Sequence, residues 1–228
     1  MQETIAIVGD GRLGRALASA LRAPAPHGRG YTGAGADAVL LCVPDAQIAI
    51  AAAAIEPGPL VGHCSGATSL DVLAPHEAFG LHPLMTVTRA GGAFAGAGCA
   101  VAGTTPRALE FAHRLGLALG MRPFEIAAED RVAYHAAASM ASNFLVTLES
   151  AAARLAATTG VERTMLVPLA RAAVEAWALE GDVSLTGPIV RGDEATVARH
   201  REAIGERAPD LVALYDVLAD ATRAVAAA

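Results

Sequence analysis

Two hydrophobic textures divide the chain. Through its first half, short apolar runs stand between glycine-rich turns and alanine-rich stretches whose apolar residues recur three and four apart. That alternation predicts an α/β fold around a mostly parallel sheet. Ile5–Val8 reads as a strand, and Leu13, Leu17 and Leu21, at i, i+4 and i+8, as the buried stripe of the helix behind it. Ala38–Val43, Leu60–His63, Phe79–His82, Gly98–Ala102 and Met121–Ile126 read as further strands, with helices over Ala46–Ile55 and Pro106–Leu119. Pro83 is expected to stop the strand ending at His82. From Ala128 strand signals cease, and helices are expected over Ala128–Thr159, Arg163–Glu180, Glu194–Ile204 and Leu211–Ala226. This change of texture places a domain boundary near Ala127, with an α/β domain over 1–127 and an all-α domain over 128–228.

The first strand and helix are joined by Gly9-Asp10-Gly11-Arg12-Leu13-Gly14, a G-x-G-x-x-G turn in its strand-to-helix setting. Gly9 permits the tight turn, Gly11 a close approach of backbone to a pyrophosphate, and Gly14 close helix–strand packing. The amides of Arg12 and Leu13 then open the helix toward the phosphates. A nicotinamide dinucleotide, NAD or NADP, is the expected ligand, with its nicotinamide over the strand end at Val43 and Pro44. The bland alternative is an α/β turn without a ligand.

The segment after that helix departs from the pattern. Residues 22–37 carry Pro24, Pro26 and several glycines, too short and too broken for a strand and a crossover helix. A short second strand is the most this segment can hold. Its only acid, Asp37, abuts the next strand and reads as the polar residue that opens it, so no carboxylate is expected at the ribose hydroxyls. Arg22 and Arg29 are candidates for a ribose 2′-phosphate, or plain surface arginines.

Three further stretches carry chemistry. In "GLHPLMTV", His82 ends a strand at the sheet edge where α/β proteins bind ligands, and the small loop containing Ser65 ends its neighbour there. A histidine there is an acid–base candidate, or simply one bonded to backbone. In "EDRVAYHAAASMASNFL", His135, Ser139 and Ser142 fall at i, i+4 and i+7 beside Asn143, a polar stripe on an otherwise apolar helix. Serines that let helices pack closely are the alternative there. In "LTGPIVRGDEATVARH", Asp193 reads as a helix N-cap, and Thr186 and Arg191 as groups for an anionic substrate.

Composition prunes the chemistry. All 17 basic residues are arginines, which excludes a Schiff-base lysine, a Walker-A loop and a lysine general acid. The net charge of −6 argues against a nucleic-acid surface. Cys42, Cys64 and Cys99 show no metal spacing, and no metal is expected. Without a membrane-length apolar run or a signal-peptide pattern, the expectation is a cytoplasmic chain that engages no membrane.

Together the glycine turn, "LLCVPD", "HCSGATSLDVL", "GLHPLMTV", "EDRVAYHAAASMASNFL" and "LTGPIVRGDEATVARH" resemble the Rossmann-like proteins bearing a DUF2520 C-terminal domain. That group is similar to the 6-phosphogluconate dehydrogenase-like superfamily, near the pyrroline-5-carboxylate and ketopantoate reductases. The resemblance implies an NADP-binding Rossmann domain, a helical domain that dimerises and an oxidoreductase activity. It implies cofactor contacts at Gly9, Gly11 and Gly14, and a site lined by His82, His135, Ser142, Asn143, Thr186 and Arg191. The shortened segment 22–37 is where the chain departs from its relatives.

The leading expectation is a homodimeric NADP-dependent reductase of a small carboxylate-bearing keto or imine substrate. His135 or His82 is its proton donor, and Asn143 and Arg191 orient the substrate. The alternative is a non-catalytic ligand-sensing or assembly protein whose dinucleotide site has eroded. An S-adenosylmethionine methyltransferase shares the glycine turn, but that reading leaves the helical half unexplained.

Overall fold

The computed structural model describes residues 3–89 and 91–228. The chain divides into two compact units, the first closing at Met140 and the second running from Ala141 to Ala228.

In the first unit six strands, β1 (Ile5–Val8), β2 (Ala38–Leu41), β3 (Leu60–His63), β4 (Ala78–Leu84), β5 (Gly98–Gly103) and β6 (Arg122–Glu125), form one sheet in sequence order. All neighbouring pairs are parallel except the antiparallel β4 and β5. The four-residue runs of β1, β2 and β3 are almost wholly buried, as strands covered on both faces must be. On one face, α1 (Arg12–Leu21) and α3 (Pro106–Ala118) bury Leu17, Ala18, Phe111 and Leu115 against Ile7, Leu40, Leu60 and Phe79. On the other, α2 (Ile48–Ala53) and the short turn of helix at Leu70–Leu73 cover Val8, Val39, Leu41 and Val61.

Several boundaries move from their sequence expectation. β2 ends at Leu41, leaving Val43 outside the ladder, and α2 starts at Ile48 after a 3-10 turn at Asp45–Gln47. β4 runs through Pro83 to Leu84: its pairing with β3 ends at Gly80, and beyond it β5 is its partner. A strand with one neighbour tolerates proline. Between α1 and β2 only His27 joins the sheet, through one parallel bridge to Val8. Where the sequence allows at most a short second strand, a single residue stands, and β1 is the outermost strand.

The expected helix from Ala128 is helical throughout but not uniform. A 3-10 turn (Ala128–Asp130) leads into α4 (Arg131–Ser139), a π-helical turn follows over Met140–Phe144, and α5 (Leu145–Ala157) completes it. The Thr147 hydroxyl bonds back to the Asn143 carbonyl at 3.1 Å within this stretch, the kind of contact that perturbs an α-helical ladder. The second unit continues with α6 (Arg163–Glu180), α7 (Glu194–Arg207) and α8 (Val212–Ala226). Asp193 caps α7, accepting the Thr196 amide at 3.0 Å. No helix of the described residues is long and apolar enough to cross a membrane.

Candidate functional site

The glycine turn is built by close approach. Gly9 sits at φ +114°, and a Cβ there would lie 2.3 Å from the Cys42 carbonyl oxygen; one at Gly14 would lie 2.0 Å from that of Gly9. Neither position can carry a side chain. Gly11 is the opposite case, since a Cβ there would meet nothing within 4 Å among the described residues. Gly11 caps α1 with extended backbone and no side-chain bond, and the first turn holds no acid. Asp10 alone would repel an anion, and Arg15 pairs with it at 2.6 Å, holding its carboxyl below the usual range. Open space before Gly11, with the amides of Arg12 and Leu13 behind it, fits a pyrophosphate.

From this turn a line of contacts runs across the carboxyl ends of the strands. Cys42, against which Gly9 and Gly14 pack, has its sulfur 3.8 Å from that of Cys64. Val43 borders Gly9 as well, and Pro44 beside it is exposed. After Cys64 the chain turns through Ser65-Gly66-Ala67-Thr68. Ser65 Oγ lies 2.8 Å from Asp45 Oδ2 and 2.9 Å from Thr68 Oγ1, and accepts the Thr68 amide at 3.0 Å. Its hydroxyl is thus engaged in shaping the loop.

Gly66 is the crowded point. A Cβ on it would lie 2.6 Å from His135 Nδ1 and 2.9 Å from both Cε1 and Nε2 of His82. The two imidazoles stand 5.9 Å apart, centre to centre. His82 Nδ1 is hydrogen-bonded to the Tyr134 hydroxyl at 2.7 Å, and Tyr134 meets Phe124 edge-on. One helical turn before His135, Arg131 is 7% exposed and donates to the Ser65 carbonyl at 3.0 Å. Its Nε has no hydrogen-bond partner, and no carboxylate pairs with it among the described residues.

Burial and neighbouring charge set the protonation states. Burial first, then His135 and Arg131, bring His82 down to about 4, so it is neutral near pH 7. Buried His63 is lowered the same way, against the opposing pull of the Ser69 carbonyl. Burial pushes the Tyr134 hydroxyl up to about 12, so it keeps its proton. The fixed charge buried in the cluster is the Arg131 guanidinium, and Asp45 is the carboxylate that acts on His82 and His63. An anionic group would be welcome there.

Gly9, Gly11, Arg12, Leu13, Gly14, Val43, Pro44, Ser65, His82 and His135 therefore belong to one unit, on or beside one edge of its sheet. Arg29 lies there too, exposed on the loop after α1. Ser142, Asn143, Thr186 and Arg191 belong to the second unit. Ser142 Oγ is 3.5 Å from Asn143 Oδ1 in the π turn; Thr186 and Arg191 are exposed on the segment before α7. Arg131 and Tyr134 escape the sequence reading, which follows a stripe of His and Ser. Arg131 stands three residues before Tyr134 and four before His135, and that spacing is the available signal, because i, i+3 and i+4 share a helix face.

Residues 97–222 match the family model described as a domain of unknown function, DUF2520. That is more than half of the chain, and the chain belongs to this family. A Bacteroides fragilis protein described as a candidate NADP oxidoreductase superposes with a TM-score of 0.82, at 20% identity over 97% of this chain and 98% of that one. A Thermotoga maritima protein superposes at 0.80, with 23% identity over 98% of each chain. The pyrroline carboxylate reductase of Plasmodium falciparum, solved with NADP bound, superposes at 0.62 with 10% identity, over 99% of this chain and 98% of that one. At such identities the likeness establishes the Rossmann-like fold with its helical C-terminal region. No curated protein matches the sequence.

Proposed function

We propose that the protein is an NADP-dependent oxidoreductase that reduces a keto or imine group on a small carboxylate-bearing substrate. One observation carries this reading: the open glycine turn and the Arg131–His82–Tyr134–His135 cluster share one edge of one sheet, joined by the contacts of Cys42, Cys64 and Gly66. The neighbouring folds named for NADP support it.

The first-turn amides of α1 and the space before Gly11 hold the pyrophosphate, and Val43 and Pro44 flank the nicotinamide. The cofactor, when bound, supplies the hydride. The chain's own groups supply orientation and the proton. Arg131 attracts the carboxylate and fixes the Ser65 loop through its carbonyl. His82, held neutral and locked by Tyr134, presents a fixed hydrogen-bonding edge toward Gly66. His135, nearest to the same point and less buried, delivers the proton to the reduced centre.

Titration with NADPH and NADH, followed by the quenching of their fluorescence, tests the cofactor. Saturable NADPH binding, then consumption of NADPH with a panel of small keto acids and cyclic imino acids, is the expected result. A protein that binds neither nucleotide is instead the eroded, non-catalytic relative.

We also propose that a second copy of the chain covers the helical unit. Helices α5 and α6 contribute no buried residue, and Phe144, Val146, Met165, Leu169 and Trp177 are exposed on or beside them. Helices with no buried face of their own need a partner, and an identical copy offers the same apolar surface. Light scattering is expected to give the mass of a dimer; a monomer mass would refute this.

A further inference from the structure

Between α1 and β2 the chain replaces a strand with a ring stack. The His27 amide donates to the Ile7 carbonyl at 2.7 Å, and the His27 carbonyl accepts the Gly9 amide at 2.9 Å. His27 is thus tied by backbone to the first glycine of the turn. Its imidazole lies on the Tyr31 ring with centroids 3.8 Å apart and planes 13° from parallel. Tyr31 rests in turn on the apolar cluster of the α2 face, its hydroxyl donating to the Ala34 carbonyl at 3.2 Å. Tyr31 is the ring of the pair that the apolar cluster supports, and His27 is half-exposed.

Charge in this segment points the same way. Asp37, the acid closest in sequence to where a ribose would be held, accepts the Thr4 amide at 2.8 Å, at the opposite end of the strands from Gly9. The four residues of β2 separate the two ends, roughly 13 Å at strand rise. Arg22 caps the far end of α1 in a left-handed conformation, roughly 15 Å from the glycine turn along the helix. Arg29, two residues after His27, is left as the cation of this loop, and no carboxylate pairs with it among the described residues.

We propose that the His27–Tyr31 stack is the nucleobase subsite: the adenine of the dinucleotide adds as a third layer on His27, and Arg29 meets the ribose 2′-phosphate. This rests on the nucleotide reading above. Stacking needs a flat surface and no second strand, so the site holds the base although the usual βαβ unit is cut short. An arginine without an opposing acid favours the phosphorylated ribose.

The test compares NADPH, NADH and reduced nicotinamide mononucleotide, which lacks the adenosine, on wild-type protein and three variants by fluorescence titration. His27→Ala is expected to weaken NADPH about tenfold and leave the mononucleotide unchanged; His27→Phe, which keeps a flat ring and the same backbone bridge, retains NADPH affinity. Arg29→Gln is expected to weaken NADPH and not NADH. Unchanged or tighter NADPH binding by His27→Ala, with wild-type binding intact, overturns the subsite alone and makes the stack a plug. Failure of the wild-type protein to bind any of the three overturns the nucleotide reading, and the subsite with it.

Discussion

A methyl group on Gly66 would lie 2.6 Å from Nδ1 of His135, and that closeness joins the β3 loop to the helix that bears the histidine. Gly66→Ala forces both imidazoles aside. His135 is exposed and yields easily, but His82 is hydrogen-bonded to Tyr134 and does not. The expected cost is about 1 kcal/mol of stability and about a tenfold loss of turnover. Thermal melting and NADPH consumption by the variant check both.

His82 makes folding sensitive to acid. Its folded pKa of about 4 lies below the ordinary histidine value, so the unfolded chain binds the extra proton first. The associated stability is present above about pH 6.5 and is lost as pH falls toward 4, by up to about 3 kcal/mol. His135, Arg131, His63 and Asp45 are the groups whose charge bears on it. Denaturant midpoints measured from pH 7 to pH 4 should fall more steeply for the wild-type protein than for His82→Gln.

Among the described residues Arg131 is a buried cation without a carboxylate partner, so an anion that reaches it should stabilise the fold. A small keto acid such as pyruvate is expected to raise the melting temperature of the wild-type protein. At a hundred times its dissociation constant the gain is about 2.7 kcal/mol. Arg131→Met should abolish the effect, and an equal shift in the variant would remove Arg131 from the binding of anions.

The sheet is held by Phe79, which is fully buried and meets Phe111 edge-on at 4.9 Å. Phe79→Ala leaves a large cavity under α3, and a loss of about 3–5 kcal/mol is expected in urea unfolding.

Where local signals decide, the sequence is readable. Leu60–His63 and Arg163–Glu180 stand to the residue where the pattern puts them, the first as a buried apolar run and the second stopped by Gly181. The glycine turn is legible because its spacing has a steric cause, visible in the contacts of Gly9 and Gly14. Asp37 is legible as the opener of β2. Pro83 misleads because whether a strand tolerates proline depends on which neighbours it has at that point. The π turn at Met140–Phe144 is illegible, since no composition marks it. Arg131 and Tyr134 are easily passed over because each, taken alone, suits the surface of a helix, and only their approach to Ser65 and His82 gives them work. The shortening of the second strand is plain from the sequence, but the ring pair that replaces it emerges only in three dimensions.

The order of the strands has a consequence for how the molecule forms. Each strand of the sheet pairs with the one made just before it, so no early segment has to wait for a distant partner. A full second strand and helix between β1 and β2 would lengthen the loop that closes this pair; without them the loop is short, and the sheet can grow from one edge as the chain leaves the ribosome.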